Sequence, residues 1–190
     1  MNINKSICAQ CGGTCCKTNP CLLSPRDCNG DVEFKLKQLK SEQSVTVYAF
    51  STQYFLLWIG TRYFEEFESQ FNEEGLVKVL SIFKRLRKYE EVYVVRMRSV
   101  NSEEVEFVKS ERDIEHFKAA GTCVKLISSG CEYSDDERPY GGLSLIPDEQ
   151  GRGIQFCQNT YTLLKHAYEW HEYHSIIQEL FFNTHKGGDT

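Results

Sequence analysis

The chain has 190 residues, 41% of them apolar and 26% charged, with a net charge of −5. That length suits one domain, the 12 Phe, 10 Tyr and 2 Trp supply a real core and exclude wholesale disorder, and the acidic balance argues against a generic nucleic-acid coat. The longest apolar run, Tyr54–Ile59, is far short of the roughly 20 residues that span a bilayer. The first residues lack the apolar stretch of a signal peptide, so the expected compartment is the cytosol, with neither membrane nor nucleic acid as partner.

Residues 1–30 are cysteine-rich and aperiodic, punctuated by Gly12-Gly13, Asn19-Pro20 and Ser24-Pro25. Asp31–Leu39 reads as a short helix. Val45–Phe50 and Tyr54–Ile59 are rich in aromatic and β-branched residues and read as strands, the second ended by Gly60. Asn72 caps a predicted helix with Glu73 and Glu74 in its first turn. Leu76, Val79, Leu80, Phe83 and Leu86 follow at helical spacing, and Lys84, Arg85, Arg87 and Lys88 crowd its C-terminal end. Glu91–Arg98 is the clearest strand, and Glu104–Val108 is expected to pair with it across Ser99–Ser102. Ser110, Asp113 and Gly121 bracket a short helix containing Ile114 and Phe117. Residues 128–157 are turn-rich. A long helix runs from Thr160 to Phe182, capped by Asn159. The expected fold is α+β: a small antiparallel sheet with a cysteine-rich, metal-bound loop core, a helical insertion over 63–90 and a C-terminal helix. Residues 1–158 form the domain, and 159–190 pack on it.

The nine cysteines break the average picture. Cys8, Cys11, Cys15, Cys16, Cys21 and Cys28 open the chain; Cys123, Cys131 and Cys157 come late. A disulfide framework needs export, so in a reducing compartment clustered thiols read as metal ligands. In Cys8-x-x-Cys11-Gly-Gly-Thr-Cys15-Cys16 the C-x-x-C turn converges two thiolates on one cation, and Gly12-Gly13 allow the tight path to a third. Side chains of adjacent residues diverge, so Cys15 and Cys16 split roles. Four thiolates suit zinc and an iron–sulfur cluster alike; nine thiols exceed one closed zinc site, which tips the reading to iron–sulfur (4Fe-4S). The spacing is the reverse of the C-x-x-x-C-x-x-C that radical S-adenosylmethionine enzymes use.

Cys8-Ala-Gln-Cys11-Gly-Gly-Thr-Cys15-Cys16-Lys17, then Pro20 and Ser24-Pro25-Arg26-Asp27, resembles the opening of the YkgJ-like cysteine-cluster family, described as zinc- or iron-chelating and similar to the cluster region of flagellin lysine N-methylases. Val94-Val95-Arg96-Met97-Arg98 is similar to that family's strand, and Cys123, Gly130-Cys131, Arg138-Pro139, Pro147 and Cys157 fall in its order. The resemblance implies a metal site on Cys8, Cys11, Cys15, Cys16, Cys131 and Cys157. Gly142 stands where the family has a cysteine, and Cys21 or Cys28 is a substitute ligand; Cys123 completes the candidates. The resemblance covers residues 8–60 and 92–157 discontinuously, and it supplies a metal site more securely than a reaction.

Other polar groups take simpler readings. Leu163, Ala167, Trp170, His174, Ile177 and Phe181 share a helical stripe, which predicts a buried His174 and leaves His166 and His171 facing solvent. His171-x-x-His174 is not the H-E-x-x-H spacing, and a core histidine is the favoured reading. Arg96 and Arg98 alternate onto one strand face and read as solvated, with anion binding the alternative. No phosphate loop, nucleophile elbow or dinucleotide fingerprint occurs. The sequence thus reads as a cytosolic metalloprotein accessory to the modification of a protein or peptide partner. The alternatives are a cluster-dependent modifying enzyme and a zinc-stapled interaction module.

Overall fold

A computed structural model describes residues 17, 20–67, 73–100, 107–110, 121–128, 130–133, 137, 139 and 160–183, with the backbone alone for 62–67, 73, 107–110, 130 and 160–162. Cys8, Cys11, Cys15, Cys16 and Cys157 lie outside the described residues, as do the expected caps Asn72 and Asn159, the helix expected at Ile114–Phe117 and most of 134–157.

The fold is α+β. Strands Val45–Ser51 (β1) and Glu91–Met97 (β2) pair antiparallel, Val45 opposite Met97 and Ser51 opposite Glu91. Strand Phe107–Ser110 (β3) lies along the other side of β1 and runs parallel to it, giving the order β2-β1-β3. Val45, Val47 and Ala49 share one face with Tyr93, Val95 and Met97. Tyr48 and Phe50 share the other with Val92 and Val94. Both faces are covered, which is why these strands read as continuous apolar runs rather than as alternating ones.

Helix Val32–Ser41 (α1) covers the first face through Val32, Leu36 and Leu39, with Trp170, Ile177 and Phe181 from the tail. Asp31 caps α1, its carboxylate accepting from the Phe34 N–H at 2.9 Å. Helices Thr52–Phe67 (α2) and Glu73–Leu86 (α3) cover the second face through Phe55, Leu56, Ile59, Val79 and Leu86. Helix Thr160–Trp170 (α4) adds Leu163, Leu164 and Ala167 there. Short strands Leu126–Ile127 (β4) and Gly130–Cys131 (β5) form a separate antiparallel pair.

Four expectations are corrected. Tyr54–Ile59 is helix, not strand. Phe55, Leu56 and Ile59 are buried while Gln53 and Leu57 are exposed, a helical pattern, and β1 already has a strand on each side. The helical segment between β1 and β2 therefore begins at Thr52 rather than 63. The sheet is mixed rather than antiparallel, because β3 pairs with β1 and not with β2. The outer edge of β2 is taken by residues 21–23, where the Leu23 N–H donates to Val95 and the Met97 N–H to Cys21, both at 2.9 Å. The tail is also not one helix. After α4 it passes through a 3-10 turn (His171–Tyr173), one α-turn (His174–Ile177, α5) and a π-turn (Gln178–Phe182). The expected stripe is buried at Leu163, Ala167, Trp170, Ile177 and Phe181, with His174 half-buried.

Candidate metal centre

Two stretches bearing cysteines flank the C-terminal end of β2. The first is 20–28. Leu22 bridges to Arg96 across the β2 edge, which turns Cys21 and Leu23 toward the α1 face and Leu22 toward the other. Ser24 then caps a 3-10 turn, Pro25–Cys28, in a capping box with Asp27. The second stretch is 122–124. The strand direction of β2 continues past the start of β1, and there the Val100 N–H donates to Thr122 (2.7 Å) and the Val124 N–H to Arg98 (2.9 Å). Ser99 bridges to Cys123. The chain turns at once, the Leu126 N–H donating to the Cys123 carbonyl at 3.1 Å, so that Leu126 stands opposite Cys131.

Cys123 and Cys131 are therefore neighbours on one turn, and both are free thiols, as is Cys28. Burial pushes the Cys123 thiol up. A hydrogen bond from the Lys125 backbone and the charges of Arg96 and Lys125 pull the other way, while Cys131 adds to the rise. Lys125 pairs with Glu132 at 3.4 Å and lies over the Tyr133 ring, 5.3 Å from its centroid. Burial foremost, then Glu42, holds the Tyr133 hydroxyl above its ordinary range.

Cys21 and Cys28 belong, with Cys123, to the apolar cluster of Val32, Leu36 and Leu39. Burial, reinforced by Asp27 and opposed by Lys35, pushes the Cys28 thiol up to about 11, so it is a neutral packed group. Among the described residues no group of three or more His, Cys, Asp or Glu stands close enough to hold one ion.

One contact ties Lys17 to this turn. The Thr122 hydroxyl donates to the Lys17 carbonyl at 3.0 Å. Sequence spacing carries no signal for Thr122; only the fold pairs it with Lys17. The segment after Lys17 is held from two further sides. Arg96, 1% exposed, is not solvated as expected: its guanidinium donates to the Pro20 carbonyl at 2.9 Å and lies over the Tyr48 ring. Its strand neighbour Arg98 is half-buried and donates to the Gln43 carbonyl.

From the tail, the Trp170 indole donates to the Leu23 carbonyl at 2.7 Å, the Ser24 hydroxyl donates to Glu169 at 2.9 Å, and Arg26 pairs with Glu169 at 3.3 Å. This clamp explains a further correction. His166 is buried, 2% exposed, because α4 is covered both by the sheet and by residues 22–26. Burial lowers its pKa to about 4, against the opposing pull of Glu169 and the Leu23 backbone.

Comparisons with protein-family models, with curated proteins and with solved structures find no match. No helix among the described residues is long and apolar enough to cross a membrane.

Proposed function

We propose that the chain is a metalloprotein in which thiolates of the Cys8–Cys16 motif and of the 123–131 turn hold one centre, an iron–sulfur cluster or zinc. In this reading the protein serves the modification of a protein or peptide partner. The observation that carries it is the Thr122–Lys17 hydrogen bond. Each of its partners is covalently next to a cysteine, Cys16 before Lys17 and Cys123 after Thr122, and consecutive Cα atoms are only about 3.8 Å apart. Cys131 is the neighbour across the turn.

The described residues fit such a group in part. Cys123 and Cys131 would supply two thiols, that of Cys123 pushed up by burial with the Lys125 backbone and the Arg96 and Lys125 charges opposing, and Cys8, Cys11, Cys15 or Cys16, and Cys157 are the thiols left to complete the site. Cys28, its thiol pushed up to about 11 by burial, is left out of this ligand set. When bound, an iron–sulfur cluster would supply electron transfer or a Lewis-acidic iron, and zinc a structural staple. Ordering residues 1–30 costs about 1–2 kcal/mol per residue for the backbone alone, and metal–thiolate bonds are of the right size to offset it.

The test is metal analysis and visible absorption of anaerobically purified protein. Native protein should carry stoichiometric iron with sulfide-to-iron charge-transfer bands, or zinc without colour. Cys11→Ala and Cys131→Ser should lower the stoichiometry, and Cys28→Ser should leave it unchanged. Folded protein without metal, or variants indistinguishable from native, would remove the reading.

A further inference from the structure

We propose that the cleft at the junction of β1 and α2 binds a small amphipathic carboxylic acid. The cleft measures about 910 Å³, within the range of small-molecule sites of roughly 300–1,000 Å³. It belongs to the α2–α3 side of the sheet, whereas Cys21, Cys28 and Cys123 pack on the α1 side, so it stands or falls without the metal.

Its wall is apolar, made by Leu56 and Leu57 of α2 and Phe83 of α3. Leu57 is 68% exposed and forms the open side of that wall. Gly60 also lines the cleft. It sits inside a 16-residue helix, where glycine is a poor choice. A Cβ there would meet only the Phe83 ring, at 3.9 Å, so what a larger side chain would occupy is the cleft itself.

The polar end carries one guanidinium. Arg87 lines the cleft, is exposed and makes no ion pair with a described residue. Thr52, the first residue of α2, lines it too; it is 4% exposed, and its hydroxyl oxygen is buried without a hydrogen-bond partner among the described residues, so it is not a contact for the ligand. The positive end of the α2 dipole falls at this point, where an anion is favoured. Glu90, whose backbone carbonyl accepts from the Thr52 N–H at 2.9 Å, is the acidic side chain of the lining and opposes an anion. The Arg87 guanidinium beside an apolar wall matches a carboxylate on an aliphatic or aromatic body.

The experiment is calorimetric titration of the full chain with 3-phenylpropionate and with its uncharged amide. The acid should bind saturably at one site, about tenfold tighter than the amide, as expected for one charge-assisted hydrogen bond. Arg87→Gln should remove that preference, Glu90→Gln should strengthen binding of the acid, and Gly60→Phe should abolish binding by filling the cleft. Leu57→Glu, at a position that tolerates a charge, should also abolish it and covers the case in which Gly60→Phe fails to fold. Equal binding of acid and amide, saturable binding that survives Leu57→Glu, or no saturable binding to native protein would each overturn the assignment.

Discussion

The paired strands β1 and β2 and the chain laid along their end are held by different forces. Within the sheet, Val47, Phe50, Val94 and Val95 are buried at 0–1% exposure, and helices cover both faces. Along the end, residues 20–24 and 122–124 contribute Cys21, Leu22, Leu23 and Cys123 as their buried apolar groups. They are fastened mainly by backbone hydrogen bonds to Val95, Met97, Arg98 and Val100. Apolar burial is shared by many neighbours, so its loss is felt by the whole domain. A backbone clamp is local, so its loss opens one strip. Two of the described cysteines, Cys21 and Cys123, are on the strip.

The sharpest way to break that contrast is Phe50→Ala. Phe50 stacks on Phe55 and Tyr48 in the second face, and removing a fully buried aromatic costs about 3–5 kcal/mol. Urea unfolding should show a loss of that size with a single transition; a loss confined to part of the molecule would contradict a shared core.

Acid should act on the strip through His166. Its folded pKa, about 4, lies below the ordinary 6.5, so the unfolded chain binds the proton more tightly. The contribution is intact above about pH 6.5 and declines as the pH falls toward 4, by on the order of 3 kcal/mol. His174 is shifted in the same direction by burial, with Glu91 opposing. Stability measured from pH 7 to pH 4 should fall along this slope, and His166→Gln should flatten it; an unchanged slope would show that His166 does not titrate with unfolding.

Arg96→Met tests the clamp directly. It leaves the buried Pro20 carbonyl without its 2.9 Å donor, at a cost of about 1–3 kcal/mol. Hydrogen exchange should quicken at Leu23 and Met97 more than at Val47 or Val94. The smallest effect belongs to Asp31→Ala, which removes the α1 cap for about 1 kcal/mol and should lower the melting temperature without changing exchange at Leu23.

The core strands were legible because Val45–Phe50 and Glu91–Arg98 carry their burial in composition. Tyr54–Ile59 misled for the same reason: its aromatic and β-branched residues suit a strand, and only the exposure of Gln53 and Leu57 reveals the helical period. The partner of β3 was not legible, since nothing in 98–106 says that the outer edge of β2 is already filled by residues 21–23. His166 and Arg96 were misplaced by the assumption that an element has one buried side. α4 has two, and β2 is covered on both faces. At the candidate centre, the cysteines announced themselves by spacing, but their environments did not. Cys28 and Cys123 both pack in the α1-side cluster with thiols pushed up by burial, and a turn sets Leu126, three residues after Cys123, opposite Cys131. The role of Thr122 depends on a contact spanning 105 residues, beyond any local pattern.

The Leu23 carbonyl has a consequence for how the protein is made. It receives its hydrogen bond from Trp170, 147 residues later in the chain. At about 5–20 residues per second of synthesis, that separation amounts to roughly 7–30 s on the ribosome. Throughout that interval the 20–24 strip lacks its outer clamp, and its strand-edge groups are open to any extended chain that passes. The order of translation thus makes α4 the element that closes this edge, and a nascent chain halted before residue 170 is the form most prone to wrong pairing.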